Sequence, residues 1–366
     1  MRLRCLLALS VTCWLAGGCC EQAPAPAPGS IDLRNVELSA DLRPSLEASR
    51  RQLSAPDRDT PAARDVERAN DLILRIQRIE SRQEAGDELY RRWEEEPAHF
   101  LWIATAIRYD YLLRREEALR RMLARPVLAD TAGPVGAFAQ GYDNYGYGSR
   151  GEHYLRSWRR RAELDSLQQV ILAMRVAVVE SDRGDGLKAA RLLLDVTDRA
   201  RAVAGSRLEL QLWYYITRFL IQEDRLDDAL HASALAIDLA RKAGGEYWLT
   251  RCRTLLATTL EARREYEAAL ETYEECARIS ARQDLPWLRA ESLDLAASLC
   301  SDLGRLERAL AFNQRNLAHG LAVGDSLSVP RNMMNIAYNF RLMGELDSCL
   351  AYQKRAERWV DAFGKL

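Results

Sequence analysis

Chemistry in this 366-residue chain would have to come from four histidines, eight cysteines and a set of charges that nearly cancel. His99, His153, His231 and His319 are isolated, and none lies three to five residues from another histidine or a cysteine, the spacing a zinc site needs. They read as surface or packing residues. Cys252, Cys276, Cys300 and Cys349 form no Cys-x-x-Cys pair and read as packing residues rather than as a disulfide between neighbouring segments. There is no Gly-x-x-x-x-Gly-Lys loop, Gly-x-Ser-x-Gly elbow or Gly-x-Gly-x-x-Gly fingerprint to cradle a phosphate or present a nucleophile. Acidic pairs such as Asp227-Asp228 fall in turns, where solvation and the helix N-terminal dipole account for them. These residues predict no enzyme, no metal site and no cofactor.

Charge excludes a further class. Lys plus Arg is 52 against 53 for Asp plus Glu, a net charge of -1, so the basic excess of a nucleic-acid binder is missing. Arg156, Arg159, Arg160 and Arg161 form a local basic run, flanked by Glu163 and Asp165, which reads as a solvated helix face. The stretch Gly141-Tyr142-Asp143-Asn144-Tyr145-Gly146-Tyr147-Gly148 is rich in aromatic and glycine residues. It reads first as a loosened helix packing on its neighbours, and second as a loop touching a sugar or a partner side chain.

The N-terminus carries an address. Met1-Arg2-Leu3-Arg4 is followed by an apolar run, Cys5–Leu15, and then Ala16-Gly17-Gly18-Cys19-Cys20. A basic start, a short apolar core and small residues make a secretory signal, and the run is far shorter than the roughly 20 residues of a membrane-spanning helix. The Leu-Ala-Gly-Gly-Cys ending resembles the lipobox of bacterial lipoproteins, with Cys19 the lipidated residue and Cys20 the fallback. The Pro-Ala segment Glu21–Ser30 would then be an extended tether of about 3 Å per residue. Neither cysteine is followed by Asp, so the resemblance implies a lipid anchor in the outer rather than the inner membrane.

Elements that could position a binding surface appear as a repeat. Ala189, Ala229, Ala269, Ala309 and Cys349 recur at steps of 40, and five residues upstream of each stand Gly184, Asp224, Arg264, Gly304 and Gly344. A second small column (Ala177, Thr217, Ala257, Ala297, Ala337) follows an apolar one (Val176, Ile216, Leu256, Ala296, Ile336). The apolar residues recur at three and four within each half, so each unit predicts two amphipathic helices, A and B, joined by a tight turn. Small residues let A and B cross closely, and one hairpin cannot bury both faces, so units must stack.

The pattern resembles the tetratricopeptide repeat in its longer form. Asn335-Ile336-Ala337 with Gly344-Glu345-Leu346 is similar to the signature of kinesin light chain-type repeats. The resemblance implies an all-α, right-handed superhelical solenoid. It departs from the family where the turn glycine is replaced in the second and third units, and where Asn313, Asn316 and Gln353 stand at usually apolar positions. The domain boundaries are a signal peptide at 1–18, a lipidated and mostly irregular tether at 19–60 and a helical cap at 61–97. Two degenerate hairpins at 98–163 and five repeats at 164–363 follow.

The family's concave surface maps onto Gln211, Tyr214 and Arg218; Arg251, Thr254 and Thr258; Glu291, Asp294 and Ser298; and Arg331, Asn335, Tyr338 and Arg341. Their polarity, and the value of Tyr and Arg as anchors, predict a groove that binds a protein or peptide segment. The expectation is a non-catalytic scaffold at the cell envelope, held to the membrane by its lipid. Alternatives are the sensor part of a longer protein carrying a caspase-like peptidase or signalling kinase module, self-association through an uncapped fifth unit, and glycan capture.

Overall fold

The computed structural model describes residues 33, 36–57, 59–79, 88, 166–243, 245–322 and 328–363. The signal segment, Cys19, Cys20, the Pro-Ala tether, the 98–163 hairpins, the Tyr/Gly stretch and the Arg156–Arg161 run lie outside the described residues. Twelve α-helices and no strand occur among those described. They are α1 (Arg43–Gln52), α2 (Pro61–Arg78), α3 (Ser166–Asp182), α4 (Gly186–Leu194), α5 (Thr197–Gln222) and α6 (Leu226–Ala243). There follow α7 (Glu246–Ala262), α8 (Tyr266–Arg282), α9 (Pro286–Asp302), α10 (Leu306–Ala322), α11 (Ser328–Leu342) and α12 (Leu346–Phe363). None of them is long and apolar enough to cross a membrane.

From α3 to α12 each helix packs on the next, giving five successive hairpins, and α3, α5, α7 and α9 also touch in sequence along one side. The small columns lie where the helices cross: Ala229, Ala269 and Ala309 are 0% exposed, as are Thr217 and Ala257. A larger side chain there has no space to enter without pushing the axes apart.

All five turns share one backbone shape. Gly184, Asp224, Arg264, Gly304 and Gly344 adopt φ of 89°, 55°, 66°, 70° and 80°. In each, two amides close the preceding helix, as Arg305 N donates to Cys300 O at 2.8 Å and Gly304 N to Ser301 O at 3.1 Å. Replacing glycine in the second and third units therefore changed the residue and left the conformation.

Helix α5 is two helices across a kink at Gly205, whose φ of 62° and ψ of -151° are non-helical. A Cβ at Gly205 would stand 2.8 Å from the Asp57 carboxyl carbon. That carboxylate accepts hydrogen bonds from Ser206 N at 3.0 Å and Ser206 Oγ at 2.9 Å. Asp57 thus caps the second half of α5 from a distant part of the chain.

The N-terminal segment supplies two helices. The 19–60 stretch, expected to be mostly irregular, contains α1, whose Leu46 and Ser49 are buried. Within the 61–97 segment, expected to be a helical cap, the described helix α2 lies across the array, packing on α5 and on α9, two units further on. Its apolar stripe, with Ala63 and Val66 buried, needs a long partner surface, which a row of helices provides and a single end face does not.

Together, the described residues within 36–79 form a strap. Val36 O accepts from the His231 ring at 3.1 Å, and Asp228 accepts from Ser39 N at 3.0 Å. Arg225 binds Asp41 at 2.9 and 3.0 Å, and Lys242 donates to Ala55 O at 2.6 Å and Gln52 O at 3.1 Å. Further along, Trp248 Nε1 donates to Asn70 Oδ1 at 2.9 Å and Trp287 Nε1 to Ile79 O at 2.7 Å. Asp228 is accordingly a buried strap anchor and not the solvated turn residue expected.

Candidate interaction surface

The helix-A residues expected to line a groove divide into three groups. Gln211, Tyr214 and Thr254 are buried, Arg251, Thr258, Glu291, Asp294 and Asn335 are half-buried, and Arg218, Ser298, Arg331, Tyr338 and Arg341 are exposed. The structure brings Tyr214, Arg251 and Glu291 against one another, and Asp294 against Arg331. Arg251 donates to Glu291 at 2.8 Å and to the Tyr214 hydroxyl, and its guanidinium lies 5.1 Å from the Tyr214 ring centre. The equivalent contact recurs two units on, where Arg331 donates to Asp294. Asn316, one of the asparagines at a usually apolar position, donates to the same carboxylate at 2.6 Å.

These contacts link α5 to α7, α7 to α9 and α9 to α11, so they hold those units in register. Burial works to lower the Arg251 pKa, and the Coulombic pull of Tyr214 and Glu291 outweighs it, leaving the value well above that of a free guanidinium. Arg251 is therefore a permanent cation between two units. Thr258 is turned inward as well, with its hydroxyl 3.0 Å from that of Tyr273.

Tyr273 donates to Glu261 at 2.8 Å across the α7–α8 hairpin. Burial raises the pKa of both groups, so the pair favours a neutral phenol beside a carboxyl that protonates more readily than usual. Cys252 and Cys276 are buried and free, and burial pushes their thiols up to about 12 and about 11, which removes them as nucleophiles. Among the described residues no group of three or more His, Cys, Asp or Glu side chains gathers to hold a metal.

The open part of the helix-A face is concentrated on α11. Tyr338 is 45% exposed, and Arg341 stacks over its ring with the guanidinium 5.0 Å from the centre. Sequence reasoning missed Met334 and Leu342, exposed by 46% and 45% on the same side. The repeat carried a signal for both. They continue the columns Tyr214, Thr254, Asp294 and Gln222, Ala262, Asp302, ending each in an apolar residue. Trp213, Trp248 and Trp287, which donate from their indole nitrogens to Ser49, Asn70 and Ile79 of the strap, were also missed.

Comparison with known proteins agrees at the level of the fold. A signal-transduction ATPase with a tetratricopeptide repeat sensor from Pyrococcus horikoshii is similar at TM-score 0.55 and 12% identity, covering 77% of this chain and 47% of its own. A Rap protein complexed with Competence and Sporulation Factor matches at TM-score 0.52 and 9% identity over 88% of this chain and 77% of that one. Aspartyl phosphate phosphatase F from Bacillus subtilis matches at TM-score 0.51 and 14% identity over 85% and 78%. No family model matches the chain, and no curated protein matches it in sequence. The likenesses show an all-α solenoid of tetratricopeptide-like repeats.

Proposed function

We propose that this tetratricopeptide-like solenoid is a non-catalytic scaffold that holds a segment of another protein on the exposed helix-A face of its last two units. The observation that carries the reading is the patch on α11, where Met334, Tyr338 and Leu342 present apolar surface next to Arg341. Three large apolar side chains in one line, with an arginine stacked among them, are the composition of an interaction surface rather than of a solvated one. Helices held rigidly by the inter-unit contacts of Arg251 and Arg331 lower the ordering cost of binding. The Rap protein complexed with Competence and Sporulation Factor offers a precedent for a partner on this fold. Lipidation at Cys19 would place the scaffold at a bacterial cell envelope, with the outer membrane as its site.

The test is affinity capture from envelope extracts by the full chain, beside a variant with Ser298, Tyr338 and Arg341 changed to Ala. The reading expects a partner that the variant loses while its circular dichroism is unchanged. Equal capture by both proteins removes the function from this face.

A further inference from the structure

The contacts between consecutive A helices specify what the open face of α11 would accept. Helix α11 runs parallel to α9, with Arg331 donating to Asp294 and Ser301 donating to Asn339 at 2.7 Å. These contacts are eight residues apart on α11 and seven apart on α9. One period of 40 further on, Asp294 becomes Met334 and Ser301 becomes Arg341. Met334 is exposed by 46% and Arg341 is exposed as well. A helix lying on α11 as α11 lies on α9 would set one residue against Met334 and another, eight residues later, against Arg341.

The chemistry of each contact differs from the one inside the array. Met334 offers no acceptor, so its neighbour must be apolar where Arg331 is basic. Arg341 needs a carboxylate where Ser301 meets an amide. The residue midway, four from each, falls on the same helix face and above Tyr338, which is apolar surface. Helix α11 contains no Asp or Glu, and Arg331 and Arg341 are its charged residues. We infer that the fifth unit docks an amphipathic helix of a partner protein, parallel to α11, carrying two apolar residues four apart and a carboxylate four further on. This rests on the proposed scaffold reading and names the chemical class of its partner.

A second copy of the chain fits less well. On α12, Leu346 and Leu350 are exposed by 62% and 51% and have the right spacing, but Lys354 stands in the third place. Laid on α11, it would bring an ammonium against Arg341, a like-charge contact.

The test uses the full chain and two synthetic 20-residue helical peptides, labelled for fluorescence anisotropy. Both carry leucines at the first two positions of the pattern, and the third is Glu in one and Lys in the other. The expected result is at least about tenfold tighter binding of the Glu peptide, a preference that R341E inverts, with M334S weakening both. Both variants alter exposed side chains, and unchanged circular dichroism verifies their folding. Equal affinity for the two peptides, or binding of neither, overturns the inference. So does sedimentation of the chain alone as a dimer that M334D splits, because a second copy then covers the face. If the peptides fail while envelope capture still depends on Ser298, Tyr338 and Arg341, the partner class falls and the scaffold reading stands. If both experiments fail, both fall.

Discussion

At Arg264 the backbone holds φ at 66°, a left-handed conformation that costs an L-residue about 1–2 kcal/mol. The side chain itself is exposed and takes no part in closing the turn, which is done by the Arg264 and Glu265 amides. Arg264→Gly should relieve that cost, less about 0.4–1 kcal/mol for the freer unfolded chain, a net gain of about 0.5–1 kcal/mol. Gly304→Ala should lose a similar amount, because a Cβ there meets nothing within 4 Å and only the φ of 70° resists it. Urea unfolding of the two variants measures both signs. Arg251 and Arg218 were drawn from the same set of groove positions, yet they should separate sharply. Arg251→Ala removes the contacts to Glu291 and to the Tyr214 hydroxyl from a largely buried site and should cost about 2–3 kcal/mol. Arg218→Ala, at an exposed position, should stay within about 0.5 kcal/mol. The same unfolding experiment decides which of the two residues is structural.

Among the elements, the strap is where reading the sequence failed, and the reason is physical. Its contacts join residues far apart along the chain, as in Ser39 to Asp228 and Asn70 to Trp248. Such pairs leave no periodic trace, whereas the small columns and turns recur every 40 residues and were legible. The amphipathic pattern of α2 marked a helix without saying which surface it would cover. The strap also responds to acid. Hydrogen bonds from Arg225 hold the Asp41 carboxyl well below the usual carboxylate range. A carboxylate with a lowered folded pKa stabilises the fold above its unfolded value of 3.8, and loses that contribution as pH falls through the folded value. Asp41 is half-exposed, so its share is well under about 1 kcal/mol. Hydrogen exchange at residues 36–42 should therefore speed up modestly in acid relative to α8. Asp41→Asn should show the faster exchange already at neutral pH.

For the whole molecule, the array was readable because each unit repeats the same steric demands, and the surface was readable only in part. Tyr214, Arg251, Glu291, Asp294 and Arg331 are legible in the sequence as polar positions of helix A, expected to line a peptide-binding groove. That they would satisfy one another across units depends on the step between hairpins, which no single unit encodes. What remains open is the face of α11, and on it rests the claim that the protein is a scaffold. The most direct measurement places a photo-crosslinking amino acid at Tyr338 in the full chain produced in its own cells, and a second at Glu271, exposed on α8. The account expects a discrete crosslinked polypeptide from position 338 and none from position 271. Crosslinking from both alike, or from 271 alone, would contradict it.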